Sequence, residues 1–462
     1  MRVSRGQSDA TEPTASQTSS SNPMHHHPPK IPSRSAGPGR IILTASLALS
    51  LATLVPCSLA ADWAVWRGPT GDGISDEKDF PIRWSATENV TWKTPCPPGH
   101  ASPVVSAGKL FTAAFDASTE ERLLLCFSRD TGAELWRRSV LKAPPERVHS
   151  ENSRASSTPA CDGEMVYCSF LDGREPVVSA YTVTGELVWT VRPGIFSSVH
   201  GYCSTPVLWK DKVIVNCDHD GPGYIVALAR ADGRELWRIE RPNRTRSYVA
   251  PILREVEGQP QMMLSGSKCI ASYNPDTGAL LWIIDGPTDQ FVASPVYSKS
   301  HNLFYMTGGF PKHHVMAIKP DGRGNVTASH VAWHYNPPSP VGVSYVPSPI
   351  LEGDWLLLND DRGFAHAFNA ATGEVVWSER FGRQHASLVS AGGLVYFLND
   401  AGECRVVRPA EKFAVLANNA LGENSYASPA LSEGQIFLRS DKHLWCIGTR
   451  RQAANSVAAR PN

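Results

Sequence analysis

The chain has 462 residues, and its 44 lysines and arginines balance its 44 aspartates and glutamates. A formal net charge of zero gives no overall attraction to nucleic acid or to anionic membranes, so we predict no nucleic-acid partner. After residue 60, no apolar run approaches the roughly 20 residues of a transmembrane helix. We therefore predict no integral membrane span in that part of the chain.

The first 60 residues have the composition of a targeting region. Residues 1–40 are rich in Ser, Pro, His and Arg and show no apolar period, which predicts a disordered N-terminal region. An apolar run follows, preceded by arginines and ending in small residues of the kind found at cleavage sites. This pattern predicts a signal peptide at residues 41–60 and an exported protein, periplasmic or secreted.

One phrase recurs along the rest of the chain. It reads AFNAATGEVVW at residues 367–377, CFSRDTGAELW at 126–136 and SYNPDTGALLW at 272–282. The Thr-Gly step predicts a tight hairpin turn with positive φ at glycine, and repetition at this spacing predicts a repeat architecture. The tryptophans that end the phrase and its weaker relatives are predicted to pack between neighbouring modules: Trp92, Trp136, Trp189, Trp237, Trp282, Trp333 and Trp377.

A Ser/Thr/Ala-Pro step begins each module, with Ser387-Leu388 as the one member that lacks proline. Two hairpin-forming apolar strands, a third strand and the tryptophan strand follow, which gives four short antiparallel strands per module. Proline fits an edge strand, so the first strand of each module is predicted to line a central channel. Eight such modules predict an all-β, eight-bladed β-propeller of four-stranded antiparallel blades.

The ends of the repeat array predict how the ring closes. The last module has three strands, and an unpaired strand at residues 90–93 supplies the fourth. We therefore assign residues 61–89 to an N-terminal loop segment, 90–447 to the propeller and 448–462 to a disordered tail.

The phrase resembles the pyrroloquinoline-quinone (PQQ)-like propeller repeat, with its pattern A-x-D/N-x-x-T-G-x-x-x-W matched best at residues 367–377. The WRGPTGDG opening at residues 66–73 and HGYCSTP at 200–206 are similar to exported PQQ-like propellers of planctomycete-type bacteria. This resemblance implies the propeller fold but leaves the function open, because one propeller fold carries many activities.

Two branches of the resembled superfamily imply different functions. Quinoprotein alcohol dehydrogenase-like members bind PQQ and Ca²⁺ on the propeller axis and are oxidoreductases. The outer-membrane assembly propeller lipoprotein is a non-catalytic scaffold that binds other proteins through its loops. This chain has no adjacent Cys-Cys pair, no haem motif and no large insertions, so we favour an exported, monomeric, non-catalytic scaffold with a protein or cell-envelope partner, and keep the PQQ-dependent oxidoreductase as the alternative.

Residues just before the Pro steps are expected to surround one mouth of the channel. Aromatic and cationic side chains that converge there suit a flat anionic ligand, although tyrosines that merely fill the neck of the ring explain the same pattern. His100 and His385 are expected to lie near each other across Tyr426. The axial-mouth ligand candidates are His100, Arg154, His200, Tyr202, Tyr248, Tyr345, His385 and Tyr426.

The remaining polar motifs carry weaker signals. Acidic turns at residues 218–220 and 359–361 offer carboxylates for Ca²⁺, but such turns are common without metal, so no metal site is predicted. Cys203 and Cys217 flank a hairpin turn, and a disulfide between them is left open. Residues 139–153, 241–246 and 335–343 form the longest loops and are the candidate partner-binding loops.

Overall fold

The computed structural model of the protein describes residues 62–336 and 343–450. The predicted disordered region (1–40), the predicted signal peptide (41–60) and nearly all of the predicted tail lie outside the described residues. In the described part of the chain, no helix is long and apolar enough to cross a membrane.

Every regular element in the described part of the chain is a β-strand, and the strands form eight sheets arranged as a ring of blades, as predicted. Before the first blade come β1 (Ile74–Ser75) and β2 (Val90–Pro95). Blades one to four comprise β3 (Val104–Ser106), β4 (Lys109–Asp116), β5 (Glu121–Ser128) and β6 (Glu134–Lys142); β7 (Ala160–Cys161), β8 (Met165–Asp172), β9 (Glu175–Thr182) and β10 (Leu187–Val191); β11 (Val207–Trp209), β12 (Lys212–Cys217), β13 (Tyr224–Ala229) and β14 (Glu235–Glu240); β15 (Ile252–Val256), β16 (Gln259–Gly266), β17 (Cys269–Tyr273) and β18 (Leu280–Asp285).

Blades five to eight repeat the same plan. They comprise β19 (Val296–Ser298), β20 (Leu303–Gly308), β21 (His314–Ile318) and, after the short β22 (Gly324–Asn325) that joins the edge of blade four, β23 (Val331–Tyr335); β24 (Ile350–Glu352), β25 (Trp355–Asn359), β26 (Phe364–Asn369) and β27 (Val375–Arg380); β28 (Val389–Ala391), β29 (Leu394–Leu398), β30 (Glu403–Val407) and β31 (Val415–Ala420); β32 (Ala430–Ser432), β33 (Gln435–Arg439) and β34 (His443–Ile447).

The eighth blade is completed from the N-terminal side, as the sequence predicted. β2 pairs antiparallel with β34, with Val90 opposite Ile447 and Lys93 opposite Trp445. Two distant parts of the chain therefore share one sheet, and hydrogen bonds rather than a covalent link close the ring.

The recurring Thr-Gly and Trp positions meet at the contacts between blades. The turn glycine of one blade lies under the tryptophan of the preceding blade: a Cβ at Gly132 would lie 2.5 Å from the Trp92 ring, and one at Gly373 would lie 2.5 Å from Trp333. Each tryptophan also donates its indole N–H to a backbone carbonyl of the next blade, at 2.7–3.2 Å. The acceptors, in order from Trp92 to Trp377, are Arg129, Val183, Arg230, Pro275, Pro320, Ala370 and Ala410.

Residues 62–75, here called the N-terminal plug, cross one end of the channel. Trp63 pairs with Val105 of the first inner strand, and Ile74 pairs parallel with Ser390 in blade seven. Between these points, the Asp72 carboxylate binds Arg254 of blade four at 2.6 Å. The plug thus contacts blades on several sides of the ring and blocks this end of the channel.

Candidate ligand chamber on the propeller axis

A chamber of about 390 Å³ lies on the axis between the plug and the opposite face of the ring. We call that face the mouth face; it carries the loops that lead into each inner strand and the loops between the second and third strands of each blade. Trp66 of the plug lines the chamber from the closed end. The chamber is therefore a blind pocket that is reached from the mouth face.

A belt of hydroxyl groups, here called the hydroxyl girdle, surrounds the axis at the starts of the inner strands. In six links, a backbone N–H of one blade donates to a Ser or Thr hydroxyl of the next blade at 2.9–3.2 Å. The girdle runs from blade five through blade eight to blade three, through Ser294, Ser348, Ser387, Ser428, Ser102, Thr158 and Thr205. This arrangement explains why Ser or Thr recurs before the Pro step. At blade four the residue is Ala250, which has no hydroxyl.

The side chains two residues before these girdle positions line the chamber in all eight blades. They are His100, Ser156, Cys203, Tyr248, Val292, Val346, His385 and Tyr426. Of the candidates predicted from the sequence, His100, Tyr248, His385 and Tyr426 occupy this ring, and His200 and Tyr345 line the chamber from adjacent loop positions.

Two predicted candidates, Tyr202 and Arg154, lie elsewhere. Tyr202 is 4% exposed, hydrogen-bonds Ser169 and packs in the core of blades two and three. Its neighbour Cys203 takes the chamber position, because the lining side chain stands two positions before the girdle residue, and Tyr202 stands three positions before Thr205. Arg154 donates from Nε to the Glu146 carbonyl at 3.0 Å and covers the Phe115 ring.

His100, Tyr426 and His385 lie side by side in the chamber wall, as expected. The ring centroids of His100 and Tyr426 are 4.7 Å apart in a stacked arrangement, and those of His385 and Tyr426 are 5.5 Å apart. Burial, with the nearby Arg439 charge, lowers the pKa of His100 to about 4, so this ring is neutral at physiological pH. Burial opposes protonation of His385 too, but the hydrogen bond from its Nδ1 to Asp400 at 2.8 Å and that residue's charge raise its pKa.

Acidic residues of the chamber come from loops outside the repeat phrases. The sequence places Asp361 only in a Ca²⁺-type turn and Glu151 only in a candidate partner-binding loop, and it does not predict that either lines the chamber. Glu151 reaches from the loop after blade one to Arg383 of the loop before blade seven, with 2.6 Å between the charged groups. Its other oxygen lies 3.9 Å from His385 Nε2. The other acid of the chamber wall is Asp361, and burial raises its pKa to about 6.

The acidic turns considered for Ca²⁺ serve other purposes. Asp218 is fully buried and binds Arg241 at 2.9 Å and the Ser247 hydroxyl at 2.9 Å. Asp360 accepts backbone N–H groups of its own turn. Within the residues that the structure describes, no group of three or more His, Cys, Asp or Glu side chains is placed to hold a metal.

The disulfide left open by the sequence is not formed, because Cys203 and Cys217 are both free thiols. Cys217 is buried at the end of β12, whereas Cys203 lies in the chamber wall. Burial raises the pKa of the Cys203 thiol to about 12, so it stays protonated at neutral pH and is a poor nucleophile.

Comparison with known proteins identifies the family. A family profile described as outer membrane protein assembly factor BamB matches residues 82–260, 120–297 and 223–454, which together span most of the chain. This chain belongs to that family of PQQ-like propellers. No curated protein matches the sequence significantly.

Two solved structures show the same fold at low sequence identity. BamB from Moraxella catarrhalis matches with a TM-score of 0.56 and 13% identity over 79% of this chain and 99% of that chain. The computationally designed protein Ika8 matches with a TM-score of 0.50 and 11% identity over 77% and 100% of the two chains. A europium-containing methanol dehydrogenase matches with a TM-score of 0.42 and 12% identity over 76% and 90%.

Proposed function

We propose that this protein is an exported, monomeric, non-catalytic propeller that binds a protein of the cell envelope through its mouth face. The observation that carries the proposal is a set of large apolar side chains exposed on mouth-face loops. Ile195 is 54% exposed, Val199 57% and Phe310 52%. Apolar side chains presented on loops around a rigid scaffold are typical of protein-binding surfaces.

These side chains lie close to the chamber entrance. Val199 precedes His200, which lines the chamber. The Phe310 carbonyl accepts the Gln290 N–H at 3.0 Å, and the Gln290 side chain in turn accepts the Tyr345 hydroxyl at 3.1 Å. A partner that covers Val199 and Phe310 would therefore also lie beside the rim of the chamber.

The family and the sequence support the proposal from two further directions. The family profile carries the description of an outer membrane protein assembly factor, which is a role of contact with other proteins. The apolar run at residues 41–60 has the pattern of a secretory signal peptide. Both features fit a protein that acts outside the cytoplasm by binding.

The mouth face is tested by charge substitutions compared with a matched pair on the outer strands. Cross-linking in the native cell measures how much partner the protein binds. We expect the amount of cross-linked partner to fall about tenfold or more in the double variant Val199→Asp/Phe310→Asp, because a buried unpaired carboxylate costs at least about 1–3 kcal/mol. Leu187 on β10 and Leu280 on β18 are 58% and 49% exposed, so Leu187→Asp/Leu280→Asp is the control and should keep the partner.

Equal loss in both double variants, or no loss in either, would refute docking through the mouth face. Protein purified from the native cell tests export through its N-terminal sequence. We expect the mature N terminus to lie after residue 60, and a chain that still begins at residue 1 would contradict export. Light scattering on that sample tests the monomeric state.

The alternative function, a quinoprotein oxidoreductase with PQQ and Ca²⁺, meets a donor set that does not fit it. PQQ is a tricarboxylate, and the cations of the chamber wall are already occupied: Arg383 binds Glu151, and His385 binds Asp400. Asp361 adds a further negative charge. In the described part of the chain, no group of three or more His, Cys, Asp or Glu side chains is placed to hold the Ca²⁺, and without that cation the surplus of carboxylates would repel the quinone. The same surplus opposes the flat anionic ligand that the sequence suggested.

A further inference from the structure

Among the residues that the structure describes, the charged groups around the chamber pair with one another, with one exception. Arg383 binds Glu151 at 2.6 Å and His385 binds Asp400 at 2.8 Å. Arg246, whose charge acts on Tyr248 and Tyr345 of the wall, binds Asp220 at 2.7 Å. The exception is the carboxylate of Asp361.

Asp361 lines the chamber without a cationic partner in the described part of the chain. Its Oδ1 accepts the Val346 N–H at a long 3.3 Å, and no lysine, arginine or histidine of the described residues lies within 4 Å of it. The charged neighbours that face it, His385, Arg383 and Asp360, are each engaged with other groups. A partly buried carboxylate in this state is unfavourable unless a cation reaches it.

Aromatic side chains line the same chamber. Trp66 lies at the closed end, and Tyr248, Tyr345 and Tyr426 belong to the walls. Aromatic rings attract cations through their quadrupole, and such cages recognise ammonium groups when a site excludes water. A volume of about 390 Å³ suits a small molecule.

We propose that the axial chamber binds a small organic cation, a primary ammonium or a quaternary ammonium, with Asp361 as its counter-ion. A bound cation would give the Asp361 carboxylate its positively charged partner, and it would also contact the tyrosine and tryptophan rings. An anion would add to the surplus of negative charge, and a neutral ligand would leave Asp361 unpaired. This site lies inside the ring, so the proposal does not depend on a partner at the mouth face.

The experiment compares cations with neutral molecules of the same shape. Binding of choline and of tyramine to the full mature protein is measured by calorimetry at pH 7.5, beside 3,3-dimethylbutan-1-ol and 4-ethylphenol. We expect at least one cation to bind tenfold or more tightly than its neutral analogue. Asp361→Asn should reduce this preference to less than about threefold, because the amide keeps the shape and removes the charge.

The matched control is Asp289→Asn, since Asp289 is an exposed mouth-face carboxylate outside the chamber wall that lies 3.7 Å from Lys268. This variant should keep the full preference for the cation. Affinity should also fall below pH 6 as Asp361 takes up a proton. Equal binding of cation and neutral analogue, a preference that survives Asp361→Asn, or no binding of either cation at about 10 mM, a concentration above millimolar Kd values, would overturn the proposal.

Discussion

Asp361 shows how one side chain links the chamber to the stability of the fold. Its carboxylate lies in the chamber wall, where burial raises its pKa from an ordinary 3.8 to about 6. The folded protein therefore binds a proton at this site more tightly than the unfolded chain does. Its contribution favours the folded state at low pH and is lost as the pH rises through about 6.

This sign gives a pH-dependent prediction for Asp361→Asn. Near pH 7.5 the variant should be more stable than the wild-type protein by about 2 kcal/mol, because the wild type then holds a partly buried carboxylate that has no cationic partner among the described residues. Near pH 4 the two free energies of unfolding should converge. Urea unfolding across this pH range measures the difference, and comparison with Asp289→Asn removes the effects of exposed carboxylates. A difference that stays constant with pH would contradict the assignment.

At the scale of the element, β2 is the strand that holds the two ends of the propeller together. Trp92 on β2 contacts Phe437, with centroids 6.0 Å apart, and lies against Gly132 of blade one. Lys93 binds Glu423 at 2.8 Å and covers the Trp445 ring at 4.0 Å. β2 thus fastens blade eight to blade one as well as completing its own sheet.

Trp92→Ala should therefore open the ring at its seam. A buried tryptophan truncated to alanine costs about 3–5 kcal/mol, and Trp377→Ala, at the equivalent position between blades six and seven, should cost a similar amount. Only Trp92→Ala should expose the N-terminal segment, because β2 is held in blade eight by its pairing with β34 and by side-chain contacts, whereas β27 follows β26 in a hairpin of its own blade. Limited proteolysis measures this as early cleavage at residues 76–89. The same cleavage pattern in both variants would show that β2 does not close the ring.

The sequence predicted the contacts between blades, because the residues that form them recur in the repeat. The turn position of Gly132 requires glycine because the Trp92 ring of the preceding blade lies against it, so the glycine and the tryptophan recur together. The chamber was predicted less well. Glu151 and Asp361 belong to loops without a repeat, and no period marks them. Tyr202 was placed in the chamber wall because the loop before blade three was counted one residue out of register.

At the scale of the whole molecule, the hydroxyl girdle connects blades that share no sheet. Six of its hydrogen bonds run in one direction from blade five round to blade three. The two links that would complete the circle both involve Ala250. The Ser294 hydroxyl, on the far side of that gap, is buried and has no hydrogen-bond partner among the described residues. Blade four is therefore the blade that makes no hydroxyl-girdle hydrogen bond to either neighbour among the described residues.

Ala250→Ser should repair this gap. The new hydroxyl would take the position in blade four that the Thr158 and Thr205 hydroxyls take in their own blades. It would accept a hydrogen bond from the Thr205 N–H, as the other girdle hydroxyls accept one from the blade before them. One such bond contributes about 0.5–1.5 kcal/mol, so the variant should unfold at higher urea concentration than the wild type. Ser428→Ala is the reverse case: it removes the acceptor of the Ser387 N–H at 2.9 Å and should cost about 1–3 kcal/mol, because a buried donor is left unpaired. If Ser428→Ala destabilises the protein and Ala250→Ser does not stabilise it, blade four is held apart from its neighbours by packing, and the missing hydroxyl is not the reason for the gap.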